Sequence, residues 1–210
     1  MDKNDAPLAF TIDWVNEFAK HCDHVIVLSM SSGDYTVAQN VQVFDIGHQK
    51  GYSKPRLLFN FYYYLIYILW IYKIDGVFSH MNQLFSALGG FVLKLKGISL
   101  ITWYAHPSVT ISLKIAHFFS KKMVASVFEA YPYTKDKLVV IGQGIDPYIF
   151  ENKTETKENI ILYTGRISRS KDIDTLVKAY KINETYLSGY KIHLIGNAIE
   201  MDGTDYISEL

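Results

Sequence analysis

The sequence predicts an α/β protein: a domain built on a mainly parallel sheet with helices on both faces, followed by a partial second domain of the same kind. Three observations carry this. Short apolar runs of strand length alternate with longer segments in which apolar residues recur at helical spacing. Polar residues that include His80, His106 and Ser126 follow three of the strand runs, at the carboxyl ends where open parallel sheets bind ligands. A charged stretch without apolar anchors, Glu151 to Glu158, separates a second strand–helix–strand series from the first.

In chain order, Phe10, Trp14, Val15, Phe18 and Cys22 recur at helical spacing and predict an opening helix. Val25 to Leu28 then reads as a buried strand and Val41 to Phe44 as a short alternating one. A helix before the first strand is unusual for a doubly wound domain, and Met1 to Phe10 cannot supply a central strand. The expectation is a chain truncated at both ends, with its first strand missing.

Residues 57–72 are apolar nearly all round and rich in Tyr and Phe. Three readings fit them: a transmembrane helix, for which Asn60 and the Tyr hydroxyls are costly; a helix packed on the sheet with its hydroxyls reaching water; or such a helix that also makes peripheral contact with a membrane. Further on, Gly76 to His80, Ile98 to Tyr104, Lys122 to Ser126 and Leu138 to Ile141 read as strands. Gln83 to Lys96, closed by Gly97 as a left-handed cap, and Ser108 to Ser120 read as helices. The predicted organisation is a domain over 1–147, a linker over 148–158, and a partial domain over 159–210. The last comprises a strand from Ile160 up to the turn at Gly165, a helix from Lys171 to Tyr186, the strand Lys191 to Gly196, and a final helix from about Asp205.

Composition removes several function classes. Twenty-one basic and twenty-one acidic residues give no net charge, which argues against a nucleic-acid binder. One cysteine, Cys22, leaves no intrachain disulfide, and the polar start lacks a signal-peptide core, so a cytoplasmic address is expected, peripheral at the inner face of the membrane if residues 57–72 touch lipid. No Gly-x-Gly-x-x-Gly follows a first strand, which argues against a nicotinamide-dependent oxidoreductase.

The chemistry-bearing stretch runs from Ile160 to Ile173. A strand, a turn at Gly165 and a helix opening near Ser170 leave backbone N–H groups at the positive end of a helix dipole. Arg166 can fork two phosphate oxygens and Lys171 adds a point charge. A diphosphate suits that arrangement; two solvated surface cations beside an ordinary loop is the plainer reading.

The ordered motifs resemble those of the family 4 glycosyltransferases. Gly142-Gln143-Gly144-Ile145-Asp146 with Phe150 is similar to the family's Gly-Ile-Asp signature, Tyr163-Thr164-Gly165-Arg166-Ile167 to its Gly-Arg turn, and Leu194-Ile195-Gly196 to its second strand and glycine. The resemblance implies a GT-B fold of two Rossmann-like domains with the active site in the cleft between them. It implies a nucleotide-sugar donor whose diphosphate is held by Gly165, Arg166 and Lys171, and a catalytic or acceptor-side role for His106, in Trp103-Tyr104-Ala105-His106. His80, Gly144, Asp146 and Gly196 are further cleft candidates. The nucleotide-sugar is a co-substrate, so no cofactor is expected. Nor is a metal: no ligand spacing is clustered enough to hold one. The implied acceptor is a saccharide or a lipid-linked molecule, and the implied reaction retains configuration. Two departures bear on this: Asp172 stands where the family commonly has glycine, and the family's paired glutamates find no match before Leu210. The rival reading is a truncated, non-catalytic remnant that binds a nucleotide or a partner weakly.

Overall fold

The computed structural model describes residues 1–5, 8–144, 147–148, 151, 158–197 and 206–207. The chain divides into two units, Met1–Gly144 and Ile145–Leu210.

The first unit begins with α1 (Thr11–Ala19), β1 (Val25–Ser29), β2 (Val41–Asp45) and α2 (Lys54–Ile71). It continues with β3 (Gly76–Ser79), α3 (Gln83–Leu95), β4 (Ser99–Trp103), α4 (Ile111–Phe119), β5 (Lys122–Ala125) and β6 (Leu138–Val140). Every strand pairing is parallel; α3 and α4 make the crossovers from β3 to β4 and from β4 to β5, while a loop links β1 to β2 and 3₁₀ turns lie between β5 and β6. The sheet is not one ladder, however: β1 pairs with β2, while β3-β4-β5-β6 form a separate four-stranded sheet in chain order. Residues 1–5 and 8–10 form only turns and loop, and no described segment bridges β1 to β3.

Alternation along β4 sets the two faces. Leu100 points into a core shared with Ile46, Phe61, Leu65 and Leu93, so one face carries α2 and α3. Each of these side chains contributes about 1.5–3 kcal/mol by leaving water. Thr102, on the same face, joins a buried hydroxyl chain: its Oγ1 lies 2.7 Å from Ser86 Oγ of α3 and 2.7 Å from Ser120 Oγ beyond α4. Trp103 points the other way and meets Trp14 of α1, with ring centroids 5.5 Å apart. Helices thus lie on both faces. The aromatic stripe predicted for α1 does face the strands, since Phe18 meets Phe78, yet Phe10 and Phe18 stay more than a third exposed and the fully buried positions are Ile12 and Ala19.

Residues 57–71 form most of α2. No helix among the described residues is long and apolar enough to cross a membrane, and two polar groups of α2 have partners in the fold. Asn60 Nδ2 donates to Ile46 O at 2.8 Å, and Tyr62 Oη donates to Leu88 O at 3.1 Å. Gly97 has φ 70°, and the N–H groups of Gly97 and Ile98 close the end of α3 on Lys94 O and Leu93 O. The start of α4 differs from the expected Ser108: Thr110 is the cap, its Oγ1 accepting from Leu113 N–H at 3.1 Å.

In the second unit β7 (Ile160–Thr164) and β8 (Lys191–Ile195) pair in parallel, and α5 (Ile173–Ile182) connects them. Ile167, Ile173 and Tyr206 form its core. Tyr206 and Ile207 are helical, while Asp205 and residues 208–210, the rest of the expected final helix, lie outside the described residues. So does most of the predicted linker.

Candidate functional site

In the first unit the predicted residues gather at the carboxyl edge of the four-stranded sheet. His80 directly follows β3, His106 stands three residues beyond β4, and Ser126 directly follows β5. Their surroundings differ. His80 is half-buried and enclosed by rings: Trp14 at 4.8 Å between centroids, Phe10 at 5.9 Å, Trp103 at 6.1 Å and Phe78 at 6.2 Å. Its Nε2 is buried and has no hydrogen-bond partner. Burial pushes the imidazole below the ordinary histidine value, because the charged form would lose its hydration with nothing offered in return. His106 is exposed, and its Nδ1 accepts from Ser108 N–H at 3.1 Å. The buried Tyr104 steadies that loop by donating its hydroxyl to Ser108 O at 2.6 Å. No ring contact or hydrogen bond joins His80 to His106 among the described residues. Gly144 is exposed, and Asp146 lies outside the described residues.

In the second unit the loop after β7 differs from the sequence expectation in one respect. The α-helix opens at Ile173 rather than Lys171, because Arg169–Lys171 make a 3₁₀ turn and Asp172 takes the left-handed conformation at φ 50°. Asp172 does not cap α5; its Oδ2 accepts from Thr175 Oγ1 at 2.9 Å. Several backbone N–H groups of the loop are taken up within the fold. Gly165 N–H donates to Ile195 O, Ile167 N–H to Asn197 O, Lys171 N–H to Ser168 O, and Asp174 N–H to the Tyr206 hydroxyl. The full positive charges beside these groups come from side chains. Arg166 and Lys171 are both exposed and neither forms an ion pair among the described residues. Arg169 is adjacent, its guanidinium 5.2 Å from the centre of the Tyr206 ring.

Two glycines hold this loop in place. Gly165 (φ 150°) and Gly196 (φ 159°) end the two paired strands, and a Cβ on Gly196 would collide with the carbonyl of Gly165. The backbones pass so closely that only glycine fits at Gly196. Arg166 is further fixed through its own carbonyl, which accepts from Tyr163 Oη at 2.8 Å.

Two polar centres escaped the sequence reading. Asp45, at the carboxyl end of β2, accepts from Ser32 N–H at 3.1 Å, from Ser32 Oγ at 2.6 Å, from Gly47 N–H at 2.6 Å and from Gln49. Burial raises its carboxyl, but these donors outweigh burial and hold it below the usual carboxylate range. Its place at a strand end, two residues before Gly47, was the available signal. His117, buried on α4, has Nδ1 2.6 Å from Tyr131 Oη and Nε2 3.1 Å from Asp136. Burial lowers its imidazole against the opposing pull of Asp136, and burial raises the Tyr131 hydroxyl. Because α4 ends where β5 begins, this cluster sits at the amino edge, opposite His80 and His106. Among the described residues no group of three His, Cys, Asp or Glu side chains could hold a metal ion.

The parallel sheets, the two units and the crossover helices define an α/β fold of the GT-B type, with Rossmann-like sheets. Among solved structures it is similar to Alr3699/HepE of Anabaena, in complex with UDP, with a TM-score of 0.67 and 14% identity over 99% of this chain and 62% of that one. MurG of Acinetobacter baumannii matches at 0.55 and 14% identity over 93% and 64% of the two chains. UDP-GlcNAc 2-epimerase of Methanocaldococcus jannaschii matches at 0.55 and 12% identity over 94% and 64%. This chain thus spans less than two thirds of the length of each. No family model matches the sequence, and no curated protein matches it.

Proposed function

We propose that the chain is part of a glycosyltransferase related to family 4, moving a sugar from a nucleotide-sugar donor to a hydroxyl of a saccharide or lipid-linked acceptor. The observation that carries this is the loop Gly165–Lys171, where two exposed cations that form no ion pair among the described residues stand on a backbone fixed by two crossing glycines. As the sugar–phosphate bond breaks, negative charge builds on the leaving nucleoside diphosphate. Arg166 can chelate two of its oxygens and Lys171 can neutralise the remainder. The UDP bound to HepE, a protein of similar fold, supports the choice of donor class. The epimerase among the similar structures means that transfer is argued from this loop and not from the fold.

In this reading residues 1–147 form the acceptor-side domain and 159–210 part of the donor-side domain, with 148–158 as the link. His106, exposed at the carboxyl edge, takes the catalytic or acceptor-side role. His80, Gly144, Asp146 and Gly196 shape the surroundings. Retention of configuration, a place in cell-envelope polysaccharide or glycolipid synthesis, a cytoplasmic location and peripheral membrane contact through residues 57–72 belong to the same proposal. Calorimetric titration of the chain with UDP, GDP and ADP tests it: saturable binding that disappears in Arg166→Ala supports the diphosphate site, and absence of binding by the folded chain refutes it.

A further inference from the structure

The helices α2, α3 and α4 share one layer. Phe61 of α2 stacks on Phe85 of α3 at 5.0 Å between centroids, and Phe91 of α3 meets Phe119 of α4 at 6.5 Å. Each helix buries one stripe against the sheet and, unusually, repeats an apolar stripe on the side away from it. On α2 the outward positions Phe59, Tyr63, Ile66 and Trp70 follow a four–three–four spacing, and Trp70 is 81% exposed. On α3 Leu84, Phe91 and Leu95 fall on the matching outward stripe, with Leu95 72% exposed. On α4 the same side carries Ile111, Ile115 and Phe118, with Ile111 77% exposed. Three neighbouring helices thus present apolar outer faces together, where a helix packed only on a sheet would present polar ones.

Charge is segregated in the same region. Between Ile46 and Phe128 there are nine Lys and Arg and one acidic residue, Asp75, so the neutral net charge of the chain conceals a strongly positive stretch. The three helices themselves contain no Asp or Glu. Two of their cations lie against the outer stripes: the Arg56 guanidinium is 5.7 Å from the Phe59 ring centre, and Lys94 Nζ is 4.6 Å from that of Phe118, bridging α3 to α4.

We infer that the outer face of the α2–α3–α4 layer docks on an anionic lipid surface. Its aromatic and aliphatic side chains enter the headgroup–acyl boundary, and Lys54, Arg56, Lys94 and Lys114 pair with lipid phosphates. Charge complementarity selects this occupant: a second copy presenting the same face would set cations against cations, whereas an anionic bilayer answers both the apolar stripes and the positive charge. The inference deepens the peripheral contact proposed for residues 57–72 and rests on that part of the reading. It uses nothing from the Gly165–Lys171 loop, so nucleotide binding and lipid binding fail independently.

The test is co-sedimentation of the 210-residue chain with phosphatidylcholine vesicles, with and without phosphatidylglycerol, at low and high salt. Tryptophan quenching by lipids brominated in the acyl chain is read in parallel. Binding roughly tenfold tighter to the phosphatidylglycerol vesicles, weakened by salt and accompanied by quenching that Trp70→Phe removes, is expected. Trp70→Ser and Leu95→Ser should each weaken binding severalfold, while Tyr186→Ser, an exposed aromatic of the second unit, should leave it unchanged. Absence of vesicle binding, binding indifferent to phosphatidylglycerol, or light scattering that shows a dimer in which Trp70 is shielded would overturn the inference. Quenching of the wild-type chain decides the matter even where a variant misfolds.

Discussion

The loops that follow β3 and β7 are built from the same strand-to-helix plan and use it in opposite ways. After β3, four aromatic rings close on His80 and leave its Nε2 buried without a partner, so the imidazole is held neutral. After β7, several backbone N–H groups are taken by protein carbonyls and a tyrosine hydroxyl, while Arg166 and Lys171 stand in water. One loop withholds charge and the other offers it. The contrast arises from what lies opposite: Phe10 and Trp14, at the start of and within α1, cover the first loop with rings, whereas the second is held from beneath by the crossing of Gly165 with Gly196 and by Tyr163 and Tyr206.

The largest effect should come from removing that crossing. Gly196→Ala places a methyl group against a backbone carbonyl that no rotamer change can clear, and the second unit should lose about 3 kcal/mol or more, measured by urea unfolding followed at β7–β8 amides. If the unit keeps its stability, the glycines are not what positions the cations. Next, Arg166→Ala should weaken UDP binding by about 1.5–3 kcal/mol, the scale of a lost charged hydrogen bond, with the melting profile of the first unit unchanged. Lys171→Ala should cost less, since a point charge on a flexible stem is more easily replaced by water.

On the other side of the comparison, Trp14→Ala opens His80 to solvent, and its pKa should climb toward the ordinary value of about 6.5, read from the imidazole resonances by NMR. The smallest effect is on stability against pH. A histidine lowered on folding is protonated more readily in the unfolded chain, so its contribution is complete above the unfolded value and declines as pH falls through the folded one. The chain should therefore unfold at lower urea at pH 5 than at pH 7, and His80→Phe should reduce the difference without abolishing it, because His117 is lowered as well.

Much of this architecture was legible because it is local. The strands are short apolar runs bounded by Gly or polar residues, and Gly97 caps α3 in the left-handed conformation expected of it. What escaped depended on alternatives that spacing cannot rank or on partners far away in the chain. Ser108, Thr110 and Ser112 are all plausible caps for α4, and only the hydrogen bond from Leu113 N–H selects Thr110. The left-handed turn at Asp172 delays α5 in a way that charge arguments do not foresee. The ring enclosure of His80 assembles from α1, β3 and β4, so no window of sequence contains it. The outward stripes of α3 and α4 have the same period as their buried ones, and the sequence alone did not separate inner from outer.

The break between the β1–β2 pair and the four-stranded sheet has a mechanical consequence. Within either piece, sliding one strand past its neighbour ruptures a ladder of hydrogen bonds together. Across the seam, among the described residues, only side-chain contacts such as Phe18 on Phe78 oppose a displacement, and these yield a few atoms at a time. The molecule is therefore stiff within each piece and compliant between them. Amide protons of β1 and β2 should exchange with solvent through a local opening that leaves those of β4 and β5 protected.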